Sequence, residues 1–442
     1  MSKQSVEHHK VAIIGTGFSG LGMAIRLKQE GENDFIVFEK EAGVGGTWRV
    51  NHYPGCACDV PSHLYSFSFA PNPNWSRMFA PQPEIKKYLE HCAHHYDVMP
   101  HVKLNNAVAG AHWDDGKQLW MVTDQQGKQY SAEILVAGAG GLSVPAYPNI
   151  PGLDKFEGKA FHSQDWDHQY DLKGKRVAVI GTGASAIQFV PEVQKEAAQL
   201  DLYQRTPPWI ISKPDRAMKF AEKALFKRFP KAQQLLREKI YWTLESRVVG
   251  MLINPRLMTI AKRWALNHIR NQISDPELRK KVTPDYTIGC KRVLISNDYY
   301  PALARANVDV VTQGIDHVEE DAIVMRDGTR RQADCIIFGT GYHLNLPFLS
   351  DELAETLEVS AKSITLADHT FHPELPGLAF MGLWGQIGPY LPPLELQARY
   401  LAYTWGGTVP ERSAAQLEEA LETCRQSVGK DIYQHIQTIR FA

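Results

Sequence analysis

Twice in this chain a short apolar strand runs straight into a glycine-rich turn and out into a segment with helical apolar spacing. That unit restricts the fold more than any other feature, because strand, tight turn and helix in this order leave helix N–H groups where a pyrophosphate can sit. In the first copy, KVAIIGTGFSGLGMAIRLKQEG from Lys10, Gly15 permits the turn, Gly17 lets backbone approach a phosphate, and Gly20 allows helix and strand to pack closely. In the second, KRVAVIGTGASAIQFV from Lys175, Gly181, Gly183 and Ala186 take the same three roles. Ser19 in the first copy, and Ala184, Ser185 and Gln188 in the second, belong to the same cofactor-facing loops and helix starts. The expectation is an α/β chain with two Rossmann-like dinucleotide-binding domains.

The residue that closes each unit differs in charge. The strand FIVFEK ends at Glu39, 24 residues after Gly15, and Arg205, in DLYQRTPPW, lies 24 residues after Gly181. A carboxylate suits the free ribose diol of FAD, whereas an arginine suits the 2′-phosphate of NADP through charge-assisted hydrogen bonds. FAD is therefore expected on the first unit and NADPH on the second, with Thr206 adding a hydroxyl to the phosphate.

At 442 residues the chain is too long for one ordinary core, which agrees with two domains. Its 48 basic and 49 acidic residues argue against a general nucleic-acid binder, which needs a basic field. Six cysteines without paired spacing suggest neither a disulfide framework nor a zinc module, so no metal is expected. The start MSKQSVEHHK has no apolar signal region, and no stretch approaches a bilayer span, so the expectation is a soluble, cytoplasmic protein. Cys56-x-Cys58 is not the Cys-x-x-Cys of a disulfide reductase. His91, His94 and His95 fall on the solvated side of a helix whose apolar face is Ile85, Leu89, Cys92 and Tyr96.

Three further stretches carry chemistry. GVGGTWRVNHYPGCACDVPSHLYSFSF, residues 43 to 69, is too rich in glycine and aromatics for a passive loop. FEGKAFHSQDWD, between the two units, has the spacing Phe156-x-Gly158-x3-His162-x3-Trp166-Asp167. TIGCKRVLISNDYYPAL places Lys291 and Arg292 side by side. In this order the stretches resemble the Baeyer–Villiger monooxygenases, flavoenzymes that insert an oxygen atom beside a carbonyl, and the resemblance runs roughly from residue 10 to residue 400.

The resemblance implies roles. Gly46, Thr47 and Trp48 match the segment that covers the flavin, and Asp59 and Tyr65 an active-site segment in which the aspartate holds a catalytic arginine, here Arg292. Lys291 matches a residue that helps hold the 2′-phosphate, and the backbone of Val108 one that meets the adenine. LAFMGLW, residues 378 to 384, matches a segment that approaches the flavin ring. Phe156, Gly158, His162, Trp166 and Asp167 are expected at the domain junction, coupling NADP position to flavin chemistry.

Residues 213 to 287 leave the α/β alternation and read as a basic helical insertion broken near Pro230 and Pro255. A solvated cap is the expected role, with a membrane surface or partner subunit as the alternatives. The division expected is an FAD-binding domain of residues 1–148 and 342–442, an NADP-binding domain of 149–212 and 288–341, and the insertion at 213–287. Two helices near 392 to 406 and 412 to 428 close the chain.

The activity implied is an FAD- and NADPH-dependent monooxygenase using molecular oxygen. A C4a-peroxyflavin would attack a ketone or aldehyde to give an ester or lactone, and could oxidise a sulfide in the same pocket. A flavin-containing N- or S-monooxygenase acting on soft nucleophiles is the rival, against which Trp166-Asp167 weighs. Substrate identity and oligomeric state have no readable code.

Overall fold

The computed structural model describes residues 6–253, 257–360, 363–383 and 389–427, with side chains outside 247–253. Two parallel-rich sheets organise the chain. In the first, the strands run in the order Val102–Lys103, Phe35–Phe38, Glu7–Ile14, Gln129–Ala137, Leu119–Asp124, Val108–Asp114, and Leu378–Phe380 pairs parallel with Gln129–Ala137. Val11 to Ile14 and all of Phe35–Phe38 are buried, as an unbroken apolar run in a parallel sheet covered on both faces requires. Leu119–Asp124 turns back antiparallel on Val108–Asp114 across the turn that holds Asp115 and Gly116.

The second sheet is wholly parallel, in the order Val308–Val311, Gln199–Tyr203, Arg176–Ile180, Cys335–Phe338, Lys159–His162. Its last member comes from the FEGKAFHSQDWD stretch, so that stretch is no free linker. His162 pairs with Phe338 at the sheet edge, and the 3₁₀ turn Ser163–Asp165 follows. The two chain crossings between the sheets run side by side, Val144–Pro145 pairing antiparallel with Tyr342–His343.

Some elements have no counterpart in the sequence reading. A three-stranded antiparallel sheet, Ile315–Val318, Ala322–Met325 and Arg330–Gln332, interrupts the second unit before its last strand. Ile210–Ile211 and Leu294–Ile295 pair at the root of the helical insertion. The insertion itself comprises Phe220–Arg228, Pro230–Ile253, Leu257–Gln272 and Pro276–Val282; the expected break at Pro255 lies outside the described residues. Leu391–Trp405 packs against Phe18–Gln29, and Ala414–Ser427 follows, ending one residue short of the expected 428, which is outside the described residues. Among the described residues no helix is long and apolar enough to cross a membrane.

Candidate functional site

Both glycine turns use backbone that side chains resist, with Gly15 at φ +95° and Gly181 at φ +111°. A Cβ on Gly17 would meet only the Gly46 Cα, at 3.6 Å, so backbone there is open to a ligand. Phe18–Gln29 starts at Gly17, and Ala186–Glu196 starts at Ser185, each without a side-chain cap. The first N–H groups of both helices therefore have no side-chain acceptor, which is what a pyrophosphate needs.

Past the first turn, the buried Glu39 carboxylate accepts hydrogen bonds from the Thr16 N–H at 3.0 Å, the Glu41 N–H at 2.9 Å and the Thr16 hydroxyl. Val108 opens its strand two residues after Asn106, whose N–H donates to the Glu39 carbonyl at 2.8 Å. Ser19 shares a 3.3 Å hydrogen bond with Tyr390, whose hydroxyl donates to the Gly382 carbonyl at 3.0 Å. That ties the first turn to the segment after Leu378–Phe380; Trp384, the end of LAFMGLW, lies outside the described residues.

At the second turn, Thr182 Oγ1 donates to the Thr206 carbonyl at 3.1 Å, which pins the exposed Arg205 beside Gly181 and Gly183. Lys291 rests with Nζ 4.8 Å from the centre of the Tyr286 ring, and among the described residues no bond joins it to Arg205. Gln188 straps the two halves together. Its amide donates to the Ala57 carbonyl at 3.2 Å, and its oxygen accepts from the Ala57 N–H at 3.0 Å.

An aromatic wall stands over the first turn. Gly46 leads into Thr47–Val50, and Trp48 Nε1 donates to the Tyr65 hydroxyl at 3.1 Å while the Phe18 ring meets Tyr65 edge-on at 5.0 Å. Burial pushes the Tyr65 phenol well above its ordinary range. Nearby, Arg292 donates to Asp59 from Nη2 at 2.6 Å and from Nε at 3.1 Å. The Asp59 carboxylate raises the guanidinium further, although 59% of the Arg292 side chain is exposed and solvent screens part of that pairing. Burial lifts the Cys58 thiol well above its usual value, which excludes a resting thiolate at pH 7. Lys213 also faces this pair; burial lowers its ammonium, and Nζ lies 5.1 Å from the Phe79 ring centre.

The residues of the Phe156 to Asp167 stretch pack instead of lining the turns. A Cβ on Gly158 would strike the Phe156 ring and the Asp334 carbonyl. His162 is fully buried between the rings of Tyr147, at 5.7 Å, and Tyr342, at 5.4 Å; Nδ1 accepts the Gln164 N–H and Nε2 has no partner. Burial pushes its pKa down, so the ring is neutral at pH 7. Trp166 packs on Phe161 and on Phe189 of the second-turn helix, and Asp167 pairs with Lys159 at 2.7 Å. Tyr342 donates to Asn51 Oδ1 at 2.6 Å, which joins this cluster to the residue 43 to 69 loop.

The sequence reading missed Arg237, Gln233 and Glu395. Arg237 Nη1 donates to the carbonyls of His63, Leu64 and Ser66 at 2.9, 3.1 and 2.8 Å, and Nη2 meets Glu395 at 3.5 Å. One largely buried guanidinium thus holds the loop that carries Tyr65. Nothing in a run of Lys and Arg marks the one that turns inward. Among the described residues no cluster of His, Cys, Asp and Glu could hold a metal ion.

The sequence model of the flavin-binding monooxygenase-like family matches residues 8–440. The chain belongs to this family. Among flavin-binding monooxygenase-like relatives, a Baeyer-Villiger monooxygenase of Pseudomonas aeruginosa is 61% identical over 343 residues, 78% of this chain and 65% of the relative. A Baeyer-Villiger monooxygenase of Streptomyces coelicolor is 49% identical over 342 residues, 77% of this chain and 66% of that relative. The matched part of the chain thus spans slightly less than two thirds of either relative's length. Among solved structures, an oxidised steroid monooxygenase bound to NADP superposes with a TM-score of 0.84 at 27% identity, covering 98% of this chain and 94% of that one. A cyclohexanone-bound cyclohexanone monooxygenase gives 0.80 at 26% identity, with 97% and 94% covered. The α/β fold with two Rossmann-like units is the fold of these enzymes.

Proposed function

We propose that the chain is an FAD- and NADPH-dependent monooxygenase of the Baeyer–Villiger type, converting a ketone or aldehyde with molecular oxygen into an ester or lactone and accepting sulfides in the same pocket. The observation that carries this reading is the Arg292 to Asp59 pair, which joins the residue 43 to 69 loop to the Lys291–Arg292 stretch and fixes a cation there. The names of the relatives support it, as do the NADP and cyclohexanone of the matching structures.

The site residues fit both cofactors, because the uncapped helix starts and the open backbone at Gly17 accept pyrophosphate. Gly15, Gly17, Ser19, Gly20, Glu39 and Val108 would hold FAD under Gly46, Thr47, Trp48 and Tyr65. Gly181, Gly183, Ala184, Ser185, Ala186, Gln188, Arg205, Thr206 and Lys291 would hold NADPH. When bound, FAD reduced by NADPH supplies the oxygen-activating redox chemistry. Arg292 supplies a fixed positive charge where an oxyanion develops, and Asp59 aims it. Trp48, Phe18 and Tyr65 would wall the first unit's side of the site with apolar rings. His162 and Trp166 position the second unit against the first. The domain division at 148/149 and 341/342 rests on the paired crossings Val144–Pro145 and Tyr342–His343, and on the return of Leu378–Phe380 to the first sheet.

A panel of cyclic, linear and aryl ketones with thioethers and tertiary amines, read as NADPH oxidation, oxygen uptake and product, tests the proposal. Ester or lactone from at least one ketone is expected. Oxygenation of amines or sulfides alone, with no ester from any ketone, would replace it with the soft-nucleophile reading.

A further inference from the structure

The helical insertion carries an unusual outer face. Of the twelve large apolar side chains that are exposed among the described residues, eight lie between Phe220 and Trp264. Phe220 is 88% exposed, Trp242 67% and Trp264 65%, values foreign to a solvated helix. On Leu257–Gln272 the exposed Leu257, Ile260 and Trp264 fall at helical spacing, one apolar stripe pointing outward. On Pro230–Ile253, Leu235 and Trp242 stand seven residues apart on one side. The other side is committed, since Gln233 and Arg237 hold the carbonyls of residues 63 to 72.

The insertion that carries this apolar face is mostly basic, although Glu238 and Glu245 flank Trp242 on the same side of their helix. Residues 213 to 287 contain seventeen Lys and Arg against seven Asp and Glu, a local excess of +10 in a chain of net charge −1. Ion pairs remove little of it. Glu222 goes to Arg216, and Arg237 goes to Glu395. Lys227, Arg228, Lys231, Lys239, Lys262 and Arg263 have no carboxylate partner among the described residues.

Exposed aromatic and aliphatic side chains framed by unpaired cations fit an anionic lipid–water interface, where rings enter the headgroup layer and cations meet phosphates. A second copy of the chain fits poorly, because a two-fold contact would set one basic insertion against another. Nucleic acid would use the cations but would leave the aliphatic stripe Leu257 and Ile260 without a partner. We propose that this face docks the protein on an anionic phospholipid bilayer, with the helices lying in the interface plane rather than crossing it. The proposal extends beyond the oxygenation reading and does not depend on it.

The test is flotation of the full chain with vesicles of equal phosphatidylglycerol and phosphatidylcholine, beside vesicles of phosphatidylcholine alone. Wild type should float with the anionic vesicles only, and the association should fade at about 0.5 M salt, where charges are screened within a few ångströms. Trp242→Ser combined with Trp264→Ser should lower partitioning about tenfold or more, and Arg263→Glu alone about fivefold. Both positions are exposed, so circular dichroism melts should match wild type. Absence of flotation with anionic vesicles overturns the proposal, as does undiminished flotation of the double tryptophan variant. Sizing that shows the same substitutions splitting a dimer that never floats would assign the face to self-association, and retention on DNA without flotation would assign it to nucleic acid.

Discussion

Arg292 reaches one oxygen of Asp59, 233 residues earlier in the chain, with both Nη2 and Nε. A lysine in that place keeps the charge but has no planar fork to be held at two points. Arg292→Lys is therefore expected to retain flavin reduction by NADPH while ester formation falls about a hundredfold, the cost of misplacing one oxyanion donor. Stopped-flow absorbance and single-turnover product analysis separate the two steps. Ester formed at the wild-type rate by Arg292→Ala would remove the residue from the chemistry.

Arg205 stands at the end of Gln199–Tyr203, exposed and tethered beside the second glycine turn through the Thr182 to Thr206 bond. A charge-assisted contact to a 2′-phosphate contributes about 1.5–3 kcal/mol. Arg205→Ala should raise the KM for NADPH about tenfold to a hundredfold and leave the KM for NADH nearly unchanged. Equal losses for both nucleotides would mean that the arginine supports the fold and does not read the phosphate.

Much of this architecture was legible because it is local. A glycine turn between an apolar strand and an amphipathic helix states its own geometry, and Glu39 and Arg205 declare their difference by charge. The Asp59 to Arg292 pair was not local, and only the family resemblance connected its two ends. The antiparallel sheet Ile315–Met325–Gln332 was overlooked because its strands are three and four residues long, too short for a period to show. Arg237 was hidden for another reason. Of the six other Lys and Arg from Lys219 to Lys239, five are exposed to water, and composition carries no direction.

Arg237 is half of a largely buried pair whose other half, Glu395, is also held by the Ser68 N–H at 2.8 Å and the Ser68 hydroxyl. Burial lowers the Arg237 guanidinium, while the Glu395 charge works in the opposite sense. Removing one partner strands the other, so Arg237→Met should cost about 3–5 kcal/mol by urea denaturation. Arg237→Met with Glu395→Gln should cost less than Arg237→Met alone. If the double variant is less stable by the full sum of the single losses, the pair is not coupled and the loop is held by other contacts.

His63 sits in the same loop, buried, with Nδ1 3.1 Å from the Gln233 amide and no partner at Nε2. Burial pushes its pKa down to about 4, with Arg216 and Arg237 acting in the same sense and Glu222 against them. In the unfolded chain the imidazole titrates near 6.5, so between pH 6.5 and 4 the unfolded state binds more protons than the folded one. The stability associated with a neutral His63 is therefore complete above pH 6.5 and is lost as the pH falls towards 4, at a limiting slope of about 1.4 kcal/mol per pH unit. Urea midpoints taken at intervals from pH 7.5 to 4.5 should fall more steeply for wild type than for His63→Gln, which cannot take up the proton. His162, His52 and His372 are shifted in the same direction and remain in both proteins, so they drop out of the difference. Parallel curves for the two proteins would show that His63 accepts its proton in the folded loop, with Arg237 and Gln233 moving to admit it.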